Sequence, residues 1–120
     1  MVSGNAADLK EIAQRLQDFA RERDWEKFHS PKNLAMALSV EAAELLEVFQ
    51  WLSEEQSKRL SPEVLAAVSE EAADVLLYLI QLSDKLDIDL IAAANKKLVV
   101  NAQKYPMSKA RGTSKKYTKL

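Results

Sequence analysis

Two pairs of acids, each set three residues apart around two alanines, open two strongly apolar stretches: Glu41 and Glu44 in SVEAAELLEVFQWL, Glu71 and Asp74 in SEEAADVLLYLIQL. Residues three apart on a helix share a side, so each pair would present its carboxylates together. Drawn at about 100° per residue, the first stretch puts Leu34, Leu38, Leu45, Val48 and Leu52 on one stripe. Glu41 falls in the middle of that stripe, with Glu44 and Trp51 at its edge. A carboxylate in an apolar stripe is costly unless it is paired, protonated or bound to a cation. No lysine or arginine lies between Ser39 and Leu52 or between Ser69 and Leu82. Hard divalent cations would supply the missing charge, and all-oxygen ligation beside phosphate oxygens suits Mg²⁺. The plainer alternative is that these acids belong to solvated helix faces, which a single EAAE would more often do.

The elements that must position these acids read as four helices. The first, roughly Ala7 to Arg23, carries Leu9, Ile12, Leu16, Phe19 and Ala20 at helical spacing. After DWEKFHSPKN, Ser30 followed by Pro31 is a helix start, with the serine as N-cap and the proline at the first helical position. That helix runs to about Leu52. Ser61 and Pro62 repeat the signal and open a third helix reaching Leu86. A fourth begins at Asp87 or Asp89 and ends near Tyr105, before Pro106. On the third helix the main stripe is Leu65, Val68, Ala72, Leu76, Leu79 and Leu86, while Glu71, Tyr78, Val75 and Leu82 share a second face with Asp74 beside them. If the second and third helices pack antiparallel, all four acids share one site.

No stretch alternates with period two, so the fold class is all-α, a four-helix bundle protomer. At 120 residues it forms one core, assigned to residues 1–106, with 107–120 a basic C-terminal tail. The third helix is apolar nearly all round through VLLYLIQL, more than one small bundle buries on one side, so a homo-oligomer is expected. The absence of cysteine excludes disulfides and thiolate chemistry. A di-iron bundle needs two Glu-x-x-His motifs, and Glu26 with His29 uses the chain's single histidine. Nothing resembles a signal peptide or membrane span, which makes a cytoplasmic protein the expectation. All eighteen acids lie at or before Asp89, and eight lysines and arginines follow with no acid among them. Such a segment favours an anionic partner, or simply remains solvated.

These residues carry a resemblance. EAAE followed on the next helix by EAAD resembles the E-x-x-E, E-x-x-D signature of the MazG-like all-α nucleoside triphosphate pyrophosphohydrolases. The segment RDWEKFHSPKNLAMALSVEAAELLEVFQWL, with a later Asn-x-x-Lys-Tyr-Pro, is similar to their dCTP pyrophosphatase branch, over about residues 8 to 106. The resemblance implies Mg²⁺ held by Glu41, Glu44, Glu71 and Asp74, and hydrolysis between the α and β phosphates to a monophosphate and pyrophosphate. It implies that one of the four acids is the general base, a role that a raised pKa on Glu41 would suit. It implies Trp25 and Trp51 around the nucleobase, His29 and Asn33 near phosphate or sugar, and Tyr78 stacked on sugar or base. It further implies Asn101 at the base edge and Lys104 and Tyr105 on phosphates. Each of these has a plainer reading: the tryptophans and Tyr78 as core or interface residues, Asn33 as a first-turn residue. A homotetramer, a dimer of dimers with sites near subunit interfaces, completes the expectation. The competing reading is an acidic helical bundle that binds nucleic acid or a protein without catalysis. Its basic residues are not interleaved with aromatics or set along one helix face, so nucleic acid is not the expected partner.

Overall fold

The computed structural model describes residues 8–120, and among them there is no strand. The α-helices are α1 (Leu9–Glu22), α2 (Pro31–Phe49), α3 (Glu54–Ser57), α4 (Pro62–Lys85), α5 (Leu90–Lys104) and α6 (Met107–Ala110). Short 3₁₀ turns occupy Glu26–Phe28 and Tyr117–Lys119. The class is all-α, and the four long helices are the four expected. The start of the first expected helix, at Ala7, lies outside the described residues.

Local chemistry sets the boundaries. Asp8, Ser30, Ser61 and Asp89 each sit in extended backbone and accept a hydrogen bond from the amide three residues on, which satisfies one of the free donors of a first turn. At α4 the Ser61 hydroxyl accepts from the Val64 amide at 3.2 Å. Ser61→Ala is therefore expected to lower stability by about 1 kcal/mol, read as a lower urea midpoint at unchanged m value. α3 adds to the expected set. It is one turn held by a reciprocal cap, in which Ser53 Oγ accepts from the Gln56 amide and Gln56 Oε1 accepts from the Ser53 amide. α1 and α4 both end through an aspartate in the left-handed region, Asp24 and Asp87, each with φ of 54°. At Asp24 this reversal brings the Trp25 amide back to the Ala20 carbonyl, 2.9 Å away.

The chain divides into two compact units, residues up to Asp87 and Ile88–Leu120. Within the first, α2 packs along α4 over most of its length, and α1 packs on α4. Residues 50–61 return the chain from α2 to α4. The inward stripe of α2 is as expected: Leu34 is fully buried, and Leu38, Glu41, Leu45 and Val48 are half-buried. On α4 the inward face is a different one. Leu65, Leu76 and Leu86 are 58%, 40% and 49% exposed, whereas Val64, Ala67, Glu71, Val75 and Tyr78 turn inward. A helix apolar all round has no phase of its own, and α2 selects the face that carries the acids.

Within the second unit, α5 starts at the Asp89 cap and stops at Tyr105 before Pro106. The 3₁₀ turn near the C-terminus folds back on α5. Tyr117 meets Tyr105 edge to face, with centroids 6.0 Å apart, and the Lys104 ammonium lies 4.8 Å from the Tyr117 ring.

Candidate active site

The site grows from the contact between α2 and α4. Turning the EAAE face of α2 and the EAAD face of α4 toward each other brings Glu41, Glu44 and Glu71 together, one oxygen from each within 4.8 Å of the others. Asp74 is the fourth acid expected. It stands outside that tight trio, yet its charge acts on both Glu41 and Glu71. Two carboxylate oxygens, Glu41 Oε2 and Glu71 Oε2, are buried without a hydrogen-bond partner among the described residues. Orphaned buried acceptors are rare in native proteins, because each has lost its water without replacement.

Electrostatics follow from this crowding. Burial pushes the Glu41 carboxyl up to about 7, helped by a hydrogen bond to Glu44 and by the charges of Glu44, Asp74 and Glu71. Glu71 is raised as well, first by burial, then by the charge of Glu44 and a hydrogen bond with it, then by Asp74. A hydrogen bond with Glu41 partly offsets this. No lysine or arginine takes part in the cluster. A divalent cation fits the donor set: several hard carboxylate oxygens, two of them lacking any partner, and an excess of negative charge.

Beside the carboxylates runs a cleft of about 590 Å³ between α1, α4 and the Trp25 loop. Its walls include Phe19, Trp25, His29, Asp74, Tyr78 and Gln81. Asp74 thus joins the acid cluster to an aromatic cleft. The edge of the Trp25 ring meets Phe19 at 71°, centroids 5.6 Å apart, and the Arg23 guanidinium covers the Phe19 ring at 3.6 Å. These contacts hold the tryptophan at the cleft wall.

Among the expected site residues, Trp25, His29, Asp74 and Tyr78 meet in this cleft. Asn33 braces the loop before α2: its side-chain amide donates to the Phe28 carbonyl at 3.0 Å, and its backbone amide donates to Ser30 Oγ at 3.1 Å. Trp51 follows the end of α2 and is 85% exposed, away from the cleft walls. Asn101, Lys104 and Tyr105 belong to the second unit, on and just after the last turn of α5. Two polar cleft residues are additions to the expected set. Arg15 lies at the edge of the α1 stripe formed by Ile12, Leu16 and Phe19, and Gln81 shares a narrow arc of α4 with Asp74 and Tyr78. A helical wheel that tracks polar residues inside apolar faces finds both.

The MazG-like family model matches residues 36–120. Human dCTP pyrophosphatase 1 is 43% identical over 114 residues, covering 93% of this chain and 67% of that protein. The bovine protein of the same name is 42% identical, with 93% and 68% covered. A crystal structure of a pyrophosphatase from Archaeoglobus fulgidus superposes with a TM-score of 0.75 at 40% identity, covering 88% of this chain and 99% of that one. With its acid pairs on facing helices and most of its length matched, the chain belongs to the MazG-like family.

Proposed function

We infer that this protein is a Mg²⁺-dependent nucleoside triphosphate pyrophosphohydrolase that splits dCTP or a related pyrimidine nucleotide between the α and β phosphates. The products are the monophosphate and pyrophosphate, and the role is the cleansing of the nucleotide pool. The observation that carries the reading is the pair of orphaned oxygens, Glu41 Oε2 and Glu71 Oε2, inside an acid cluster next to Asp74, which lines an aromatic cleft. Relatives at 42–43% identity that bear the name dCTP pyrophosphatase support the choice of substrate.

Glu41, Glu44, Glu71 and Asp74 would hold the cation. When bound, Mg²⁺ offsets the charge of the triphosphate and lowers the pKa of water. The chain's own residues do the rest. Trp25 and Tyr78 offer aromatic faces to the base, worth about 1–3 kcal/mol per stacked base. His29 lines the same cleft beside the sugar or phosphates. One of the four acids, not fully committed to the cation, would accept the proton of the attacking water. The family resemblance extends the proposal to Asn101 at the base edge and to Lys104 and Tyr105 at phosphates.

The assembly proposed is a homotetramer, a dimer of dimers. In the single chain the buried hydrophobic residues among those described are Ala20, Leu34 and Ile80, while Met36, Val40, Leu46 and Leu65 are each more than half exposed. Trp51, also exposed, would then complete a site near a subunit interface. Residues 1–106 would form the catalytic domain and 107–120 a basic tail. No helix among the described residues is long and apolar enough to cross a membrane, and a cytoplasmic location is the one proposed.

The test is product analysis. Incubated with dCTP and Mg²⁺, the protein should release dCMP and pyrophosphate, and chelation should stop it. Orthophosphate with dCDP as products, or hydrolysis undiminished by chelation, would overturn the reading.

A further inference from the structure

Along one face of α4, Asp74, Tyr78 and Gln81 follow one another and all line the cleft. The first and last lie two helical turns apart, or about 10 Å. That span is comparable to the distance from the α-phosphate to the far edge of the base in a nucleoside monophosphate. The order is acid at the cation end, aromatic ring one turn on, then a carboxamide. Gln81 is half-buried, and among the described residues no hydrogen bond engages its side-chain amide. Three other glutamines of this unit are engaged: Gln14 donates to Asp18, Gln17 to Asp84, and Gln56 closes the α3 cap. Gln81 instead presents one donor group and one acceptor inside a cleft otherwise walled largely by rings and aliphatic chains.

We propose that Gln81 is a base-edge contact of this cleft and that, because no hydrogen bond among the described residues fixes which way its amide points, it accepts amino and oxo pyrimidines alike. The proposal rests on the nucleotide reading above. Cytosine offers a 4-amino donor beside the N3 acceptor; the carboxamide oxygen would accept from the amino group while its NH₂ donates to N3. Uracil reverses both roles, with a 4-oxo acceptor beside an N3–H donor. A half-turn of the amide about its last bond matches the reversed pattern. Gln81 therefore adds affinity for a pyrimidine edge without choosing between the two, and choice has to come from elsewhere in the site.

Two substitutions test these roles. Gln81→Leu removes both hydrogen-bonding functions in a similar volume, and it should weaken dCTP and dUTP to a similar degree, raising KM about 10-fold for each with kcat little changed. Gln81→Glu, ionised, keeps only acceptors. With cytosine one carboxylate oxygen accepts from the 4-amino group while the other faces N3, and with uracil one accepts from N3–H while the other faces the 4-oxo group, so either base keeps one hydrogen bond and meets one repulsion. Both substrates should therefore weaken together, the ratio of kcat/KM for dCTP over dUTP changing less than about threefold, and repulsion of the triphosphate cancels in that ratio. The same variants should be titrated with dCMP and dUMP in chelator, following tryptophan fluorescence, since that binding needs neither cation nor hydrolysis. Gln81→Leu and Gln81→Glu should each weaken dCMP and dUMP to a similar degree. Unchanged affinity in both variants, or a loss in Gln81→Leu confined to one of the two monophosphates, overturns the proposal. If the monophosphates behave as expected while the wild-type protein hydrolyses no triphosphate, the proposal stands and the enzymatic reading falls.

Discussion

Glu41→Gln is expected to lower kcat/KM for dCTP by two to three orders of magnitude, while the metal-free protein at pH 8 melts no lower than the wild type. The first half follows from charge. Glu41 lies in the stripe that faces α4, one of its oxygens has no partner, and it shares its site with Glu44 and Glu71. An amide of the same shape keeps one neutral oxygen as a weak ligand and cannot accept a proton from water. Losing a preorganised charge at a site of phosphoryl chemistry typically removes a factor of about 10²–10³. The second half separates a functional acid from a structural one. A carboxylate that stabilised the fold by pairing with a cation would destabilise it on neutralisation, but this one is surrounded by other acids. Removing its charge relieves repulsion. Glu47→Gln, on the exposed side of the same helix, is the control and should change the rate less than about twofold. Equal activity in Glu41→Gln and the wild type would falsify the site assignment without touching the fold.

What makes Glu41 legible in the sequence is its contrast with its neighbours. Leucines and valines every three to four residues define a phase, and an acid in that phase is conspicuous. The helix starts are legible for a related reason: Ser30 with Pro31, and Ser61 with Pro62, act through backbone amides within one turn, so local sequence contains the whole interaction. α4 defeats the same method. VLLYLIQL is apolar at nearly every angle, so the stripe drawn through Leu65, Leu76 and Leu86 has no more claim on the interior than the one through Glu71, Val75 and Tyr78. Tertiary packing against α2 decides, and the three leucines stay outside. α3 has no apolar periodicity to read, since a four-residue helix rests on its cap alone. The helical wheel carries α2 on through Trp51, but the helix ends at Phe49 and the ring stands in the following turn.

The cleft illustrates a different limit. Trp25 reaches it only because Asp24 adopts a left-handed turn that folds the chain back on α1. Arg15 comes from α1, and Tyr78 and Gln81 from α4. No window of sequence holds these together. The family resemblance supplies Trp25, His29 and Tyr78 as a set, and the fold supplies the reason that they meet. It also sets Asp74 apart from the other three acids: the trio of Glu41, Glu44 and Glu71 is tight, and Asp74 faces the cleft. Asp74→Asn is thus a different experiment from Glu41→Gln, because it changes the boundary between cation and substrate.

The metal-free protein should lose stability as pH rises from about 5 to 8, with a melting temperature lower by on the order of 5 °C at the upper end, and millimolar Mg²⁺ should remove most of that loss. In the folded chain Glu41 holds its proton up to about pH 7, against an ordinary carboxyl value of 4.5. Glu71 is shifted in the same direction. Between those two pH values the folded state binds more protons than the unfolded one, and stability falls as pH increases wherever that is so. Below about 4.5 both states are protonated and these two groups carry no penalty. Above about 7 Glu41 is ionised in both states, and the folded state bears the cost of its crowded, poorly solvated charge. A divalent cation binds only the ionised form, so its stabilisation grows over the same range and opposes the slope. Melting curves at several pH values, with chelator and with Mg²⁺ at fixed protein concentration, measure both trends. Glu41→Gln should flatten the chelator series, because the group with the largest shift no longer titrates. A wild-type series that is flat in chelator, or one in which Mg²⁺ stabilises equally at pH 5 and pH 8, would mean that the acids of α2 and α4 are solvated from one another and hold no cation between them.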